Sequence, residues 1–119
     1  MNRADDIAAV KAVIGEYVLG TQDRDVSRLS AIFHPKAVMS GYRGSTPLIG
    51  SPQPFFDLLE ANEHGEGYEA EISHVSIVGR TACARLVEEN LYGKSFVNDF
   101  HLLLANGSWL IVSKLFHRD

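Results

Sequence analysis

Asn106-Gly107 predicts a tight turn between two strands near the end of the chain. The pair separates two stretches rich in apolar side chains, residues 95–105 and 109–116. A two-residue type I′ turn requires positive φ at both central positions, and Asn followed by Gly adopts it readily. The sequence therefore predicts that the two stretches form an antiparallel β-hairpin.

The turn also predicts which residues lie opposite one another. If pairing continues without interruption from Ala105 and Ser108, Asp99 lies opposite Lys114, and directly paired side chains point to the same side of the sheet. That face is expected to hold Val97, Asp99, His101, Leu103, Leu110, Val112, Lys114 and Phe116. The other face is expected to hold Phe100, Leu102, Leu104, Trp109, Ile111 and Leu115. A shift of one residue would move Asp99 and Lys114 to the opposite face.

Two helices are predicted at the start of the chain. The first begins at Asp5-Asp6 and is interrupted by Asp23-Arg24-Asp25; its apolar stripe is formed by Ile7, Val10, Ile14, Tyr17 and Thr21. The second is short and is expected to end at His34-Pro35, because the residue before a proline is disfavoured in a helix. Its apolar side is expected to carry Val26, Leu29, Ile32 and Phe33.

The rest of the chain predicts one further helix and five strands. Residues 37–43 form a short first strand, and Gly44, Ser45, Pro47 and Gly50 indicate turns. Ser51-Pro52 predicts the start of a third helix. Strands are then expected over residues 68–78, 81–91, 95–105 and 109–116. Helices followed by an antiparallel meander are typical of the α+β class.

Length and charge exclude several classes of partner. The chain has 119 residues, a net charge of −4 and one cysteine, Cys83. Its 11 Lys and Arg residues are scattered among 15 Asp and Glu residues, which predicts no nucleic-acid surface. No apolar run approaches the ~20 residues that span a bilayer, and residues 1–6 do not resemble a secretory signal. We expect one domain over residues 1–119, located in the cytoplasm.

Both faces of the predicted hairpin are largely apolar, so both are expected to be covered. The helices can cover only one of them. A second copy of the chain, or a loop together with the chain ends, would cover the other. We predict a homodimer through the outer sheet face.

The chain resembles the nuclear transport factor 2-like (NTF2-like) superfamily, which includes ketosteroid isomerases and polyketide cyclases. The resemblance is closest to the branch described as putative lumazine-binding, a label for a group of sequences. The segments that carry it are Tyr17, residues 23–25, Leu29, residues 33–37, Ile49-Gly50, residues 97–104 and residues 107–117. The resemblance implies a cone-shaped barrel, in which three N-terminal helices pack on a curved, mainly antiparallel sheet around a pocket.

The resemblance also implies candidate catalytic residues. In ketosteroid isomerases a helix tyrosine and a sheet aspartic acid bind the substrate oxyanion, and Tyr17 and Asp99 stand at the matching places. His101 is a candidate general base. The isomerase base would be an aspartate on the first strand, but residues 39–42 read Met-Ser-Gly-Tyr. Each candidate also has a purely structural alternative: an Asp99–Lys114 ion pair, a buried tyrosine and a core histidine.

Three functions are compatible with these residues. The first is a small-molecule-binding protein whose ligand is compact, largely apolar and carries a carbonyl, hydroxyl or carboxylate group. The second is an isomerase, cyclase or dehydratase that uses Asp99, His101 and Tyr17, and the third is a protein-interaction module. The predicted ligand-binding residues are Tyr17, Phe33, Met39, Phe56, Asp99, His101, Leu103, Val112, Lys114 and Phe116.

No metal is predicted, because the histidines show no ligand spacing. No cofactor is predicted, because the proton transfer considered above needs none. Glu88-Glu89 lies in a predicted strand, so one of the two side chains is expected to face inward. The sequence leaves open which one does.

Overall fold

The computed structural model describes residues 3–118, and for Arg3 only the backbone. The described residues form three helices and six strands: α1 Arg3–Asp23, α2 Val26–Ser30, β1 Phe33–Arg43, β2 Thr46–Gly50, α3 Gln53–Ala61, β3 Glu69–Val78, β4 Thr81–Leu91, β5 Lys94–Ala105 and β6 Ser108–Arg118. The prediction of one domain over residues 1–119 includes residues 1, 2 and 119, which lie outside the described residues. Within those residues, no helix is long and apolar enough to cross a membrane.

The helices are held together where α1 ends. Arg24 has a φ of 54° and separates α1 from α2, and the Asp25 side chain caps α2 by accepting a hydrogen bond from Arg28 N–H (3.1 Å). The Arg24 guanidinium donates to the carbonyls of Leu59 (2.7 Å) and Glu60 (3.2 Å) near the end of α3. The predicted break at residues 23–25 therefore also attaches α3 to the first two helices.

The six strands form one sheet in the order β2-β1-β6-β5-β4-β3. All neighbours are antiparallel except β1 and β6, which are parallel. The predicted α+β class is confirmed, with helices packed on a mainly antiparallel sheet. The sheet is not closed, however, because β2 and β3 form its two edges, so the term barrel is too strong.

Two predicted boundaries were wrong. Phe33 begins β1 instead of ending α2, and its backbone pairs with Ile111 of β6. Residues 46–50, interpreted as turns, form the edge strand β2, whose Pro47 lies opposite Tyr42. Proline is tolerated on an edge strand because its missing N–H would face away from the sheet. Strand β4, Thr81–Leu91, has the predicted bounds.

A β-bulge in β6 decides which side chains face the helices. Pairing follows the prediction from the Asn106-Gly107 turn to the pair Leu102–Ile111, but His101 then pairs with Ser113 instead of Val112. Val112 is left without a partner on β5, and every later residue of β6 is displaced by one. Phe100 therefore lies opposite Lys114, and Asp99 lies opposite Leu115. The predicted Asp99–Lys114 pair does not form.

The helices cover the sheet face that was expected to lie outside. Phe100, Leu102 and Ile111 are at most 1% exposed and pack in one core with Val10, Ile14, Tyr17 and Leu29 of α1 and α2. His101, Leu103 and Leu115 of the opposite face are exposed. We call this opposite side of the sheet the outer face, and its other members include Arg85 and Asp99.

Candidate ligand-binding site

A cavity of about 720 Å³ lies between α3, the β1–β2 hairpin and the ends of β4, β5 and β6. Its size falls in the range of small-molecule sites, which are mostly apolar with a few polar groups. Four of its charged residues, Arg43, Asp57, Glu63 and Lys94, are exposed. The apolar and aromatic wall is formed by Met39, Leu48, Phe55, Leu58, Leu91, Tyr92, Phe96 and Phe116.

Lys114 is the buried cation of this cavity. It lines the wall but is only 4% exposed. Its Nζ lies 3.8 Å from the ring centroid of Phe55, 5.0 Å from that of Tyr17 and 6.0 Å from that of Phe116. Ring faces attract a cation, but they replace only part of its lost hydration. Among residues 3–118, the structure gives Lys114 no ion pair.

Burial lowers the pKa of Lys114 to about 8, and the charge of Glu88 opposes this effect in part. A lysine amine with such a pKa is neutral in a substantial fraction of molecules near physiological pH. Neutral amines are nucleophiles and proton acceptors, whereas an ammonium group can only donate. The site therefore holds a group that can act as a cation, an acid, a base or a nucleophile.

Glu88 lies deeper in the core and is fully buried. Its carboxyl group accepts hydrogen bonds from the Tyr68 hydroxyl (2.5 Å) and from the Asn98 side-chain amide. Burial raises the pKa of Tyr68, with the charge of Glu88 as the next cause. Glu89 points outward and accepts a hydrogen bond from Ser95 Oγ (2.5 Å). Glu88 is thus the inward residue of the pair.

The predicted ligand-binding residues fall into three groups. Met39, Lys114 and Phe116 line the cavity. Tyr17, Phe33 and Phe56 do not line it; they are 0%, 7% and 6% exposed and belong to the core. Asp99, His101 and Leu103 lie on the outer face, and Val112 is the bulged residue of β6. The ring centroid of Tyr17 lies 5.0 Å from Lys114 Nζ, and burial raises the pKa of Tyr17.

Asp99 is part of an outer-face ion pair. Arg85 Nε donates to Asp99 Oδ1 (2.7 Å) and Arg85 Nη2 donates to Oδ2 (3.0 Å). The Arg85 hydrogen bond lowers the pKa of Asp99. A second groove of about 670 Å³ beside this pair includes His74, His101 and Ser113. Tyr17 lies on the other side of the sheet, so Tyr17, Asp99 and His101 do not meet at one ligand.

The first strand carries no carboxylate where an isomerase would need one. Gly41 of β1 lies against Phe116 of β6, and a Cβ added there would come within 2.5 Å of the Phe116 carbonyl and 2.7 Å of its ring. Only glycine allows this approach. The Phe116 ring therefore takes the space that a larger residue at position 41 would require.

Sequence reasoning missed Phe55, Tyr92 and Phe96 of the cavity wall. Phe56 is a predicted ligand-binding residue, but it packs on Phe33 inside the core, with ring centroids 5.6 Å apart. The inward position of Glu88 had a usable signal, because Ala82, Ala84 and Leu86 share its alternation along β4 and all three are buried.

In the part of the chain that the structure describes, no group of three or more His, Cys, Asp or Glu residues is arranged to hold a metal ion.

Residues 5–117 match the sequence model of the family described as "Putative lumazine-binding". The chain belongs to this family. Solved structures described as NTF2-like proteins share the fold found here, which confirms the resemblance seen in the sequence.

Three relatives indicate how far the similarity extends. "Aldolase FrzH" of Cladobotryum sp. is 28% identical over 110 residues, which cover 92% of this chain and 88% of that protein. An NTF2-like protein of unknown function from Silicibacter pomeroyi DSS-3 is 29% identical, with a TM-score of 0.90 and full coverage of both chains. Another from Shewanella baltica OS155 is 26% identical, with a TM-score of 0.93 and coverage of 100% of this chain and 98% of that one.

Proposed function

We propose that this protein binds a compact, largely apolar small molecule whose carbonyl, hydroxyl or carboxylate oxygen lies against Lys114. The observation that carries the proposal is a buried amine in the wall of an apolar cavity, with no ion pair among the described residues. Burying a cation without a partner is costly, so such a group is retained where it serves a ligand.

The chemistry of the wall defines the ligand class. Phe55 and Phe116 offer ring surfaces to a flat apolar body, while Lys114 offers the polar contact. A carboxylate would supply the missing counter-charge and would raise the pKa of Lys114 from about 8. Binding of a carboxylate near pH 8 should therefore be accompanied by proton uptake. Lumazine, which the family description names, is a flat ring with two carbonyl oxygens and belongs among the first compounds to test.

Calorimetric titration with two matched probes tests the proposal. 2-Naphthoate and 2-methylnaphthalene share a ring system, but only the first carries an oxygen group. We expect 2-naphthoate to bind more tightly than 2-methylnaphthalene, and Lys114→Met to remove the difference. Lys36→Met is the control, because Lys36 is exposed on β1 and does not line the cavity. Equal binding of both probes, or an equal loss in both variants, would refute the proposal.

A second candidate function is an enzyme that acts on a carbonyl substrate in the same cavity. It is favoured by the 28% identity to "Aldolase FrzH" over most of both chains. An isomerase, cyclase or dehydratase based on Asp99 and His101 is not favoured, because both residues lie on the outer face. Lys114 lines the cavity and is available for proton transfer, and the charge of Glu88 acts on its pKa.

We further propose a cytoplasmic location and a homodimer formed through the outer face. This is the side of the sheet opposite to the one predicted for the contact, which the helices cover. Leu103 and Leu115 are 42% and 52% exposed on the outer face, which supports an apolar contact with a second copy. The ion pair of Arg85 and Asp99 would lie within or beside this contact. The single cysteine supports a reducing compartment.

A further inference from the structure

We propose that Lys114 is a nucleophile that forms an imine with an aldehyde or ketone bound in the cavity. This inference rests on the proposed binding function and adds a covalent step to it. The substrate class is a carbonyl compound with an apolar body.

The position of the amine meets the geometric requirement. Lys114 is held on the rigid strand β6, between Met39 on β1 and Phe100 on β5, and its side chain forms part of the cavity wall. The ring centroid of Phe55 lies 3.8 Å from Lys114 Nζ, and that of Tyr17 lies 5.0 Å from it. These rings restrict where the amine can point, so a carbonyl carbon would reach it from the cavity.

The surroundings also favour the reactive form. An amine attacks a carbonyl only when it is unprotonated, and removal from water is one way to achieve this at neutral pH. Burial gives Lys114 a pKa of about 8. The other three lysines of the chain, Lys11, Lys36 and Lys94, are all exposed. Lys94 lines the mouth of the same cavity, so it provides an internal comparison for proximity alone.

The step balances without a cofactor. The Nζ lone pair forms a bond to the carbonyl carbon, and the C=O π electrons move to oxygen, which takes up a proton while the nitrogen loses one. A second proton, taken up from solvent, then adds to the hydroxyl group of this carbinolamine. The C–O bond breaks, water leaves, and a protonated imine remains. The imine withdraws electrons from the adjacent carbon, whose C–H bond becomes more acidic. Such a species is the starting point of carbon–carbon bond formation or cleavage, the reaction class named by "Aldolase FrzH".

Reductive trapping tests the inference. The protein is incubated with 2-naphthaldehyde and sodium cyanoborohydride, which reduces an imine to a stable secondary amine, and the modified lysines are identified by peptide mass spectrometry. We expect Lys114 to be modified at least about tenfold faster than Lys94, Lys36 or Lys11 near pH 7, since its amine is neutral in a larger fraction of molecules. Lys36→Met should retain the fast modification, and Lys114→Met should lose it.

The matched carboxylate separates this inference from the function on which it rests. 2-Naphthoate cannot form an imine but fits the same cavity. If 2-naphthoate binds in a Lys114-dependent way and 2-naphthaldehyde modifies all four lysines at similar rates, the covalent step is wrong and the binding function stands. If neither the binding of 2-naphthoate nor the modification by 2-naphthaldehyde depends on Lys114, both the binding function and the covalent step are wrong. Circular dichroism of Lys114→Met verifies that this variant is folded.

Discussion

Lys114 lies opposite Phe100, and not opposite Asp99, across strands β5 and β6. The one-residue displacement that produces this pair results from the unpaired Val112. It sends the amine to the face covered by the helices and leaves the Asp99 carboxylate on the outer face with Arg85. A cation and an anion that could have neutralised each other are thus separated, and the cation is available to the cavity.

Lys114→Met should stabilise the protein near neutral pH. The pKa of Lys114 falls from about 10.5 to about 8 on folding, which corresponds to a cost of about 3 kcal/mol below pH 8. The lost contacts with aromatic rings offset about 1 kcal/mol of this. We expect a net gain of about 1–3 kcal/mol in the free energy of unfolding, measured by urea denaturation near pH 7. Lys36→Met should change it by less than about 0.5 kcal/mol.

The stability advantage of Lys114→Met over the wild type should depend on pH. Between pH 8 and 10.5 the unfolded chain binds a proton at Lys114 that the folded chain has released, so wild-type stability gains from this group as pH rises. The advantage of Lys114→Met should therefore shrink across this interval and disappear above it. An advantage that stays constant between these values would show that the amine is not buried as described.

Glu88→Ala should be strongly destabilising. It would leave the Tyr68 hydroxyl and the Asn98 amide without their acceptor in the core. We expect a loss of about 2–5 kcal/mol in the free energy of unfolding, measured by urea denaturation. Glu89→Ala is the matched control, because Glu89 is exposed and should cost less than about 1 kcal/mol. Similar losses of unfolding free energy in both variants would indicate that the Glu88 side chain is not buried in the core.

Gly41→Ala should destabilise the β1–β6 contact. The added methyl group would meet the Phe116 carbonyl at 2.5 Å and its ring at 2.7 Å, so the strands or the ring would have to move. We expect a cost of about 1–3 kcal/mol and weaker binding of 2-naphthoate, since Phe116 lines the cavity. Gly50→Ala on β2 is the control, because a methyl group there meets no atom within 4 Å. A similar loss of stability in both variants would indicate that the cost does not come from the contact with Phe116.

Leu103→Glu should separate the proposed homodimer. Light scattering should give a dimer mass for the wild type and a monomer mass for this variant, because a charge would be introduced into the contact. Leu19→Glu is the control, since Leu19 has the same 42% exposure but belongs to α1 and not to the outer face. A wild-type monomer would contradict the proposed interface.

Asp99→Asn should leave binding unchanged and reduce stability slightly. Asp99 and Arg85 are both partly exposed, and such pairs contribute about 0.2–1 kcal/mol. The pKa of Asp99 is lowered in the folded protein, so its contribution is present above the unfolded pKa and is lost as pH falls through the folded value. A large loss of 2-naphthoate affinity in this variant would contradict this prediction and show that Asp99 takes part in binding.

The parts of the fold that follow local rules could be predicted from the sequence. The Asn106-Gly107 turn, strand β4 and the interruption at Arg24 each depend on residues close in the chain. The β2 strand was missed because Pro47 indicates a turn unless the strand is at an edge, and edge position is a property of the whole sheet.

The candidate site could be predicted only in part, because strand alternation makes every side-chain assignment depend on the register. Met39 and Phe116, two of the predicted ligand-binding residues, line the cavity. Lys114 was placed there with the wrong partner, since nothing near Val112 in the sequence indicates a bulge. The bulge moved Lys114 to the face of Phe100, whereas Asp99, His101 and Leu103 lie on the outer face because the helices cover the other side of the sheet.

The most direct test of the central claim is a crystal structure of the protein with 2-naphthoate. We predict density for the ring system between Phe55 and Phe116, with the carboxylate within hydrogen-bonding distance of Lys114 Nζ. Density in the outer-face groove beside Asp99 and His101, with the cavity unaltered, would contradict the account.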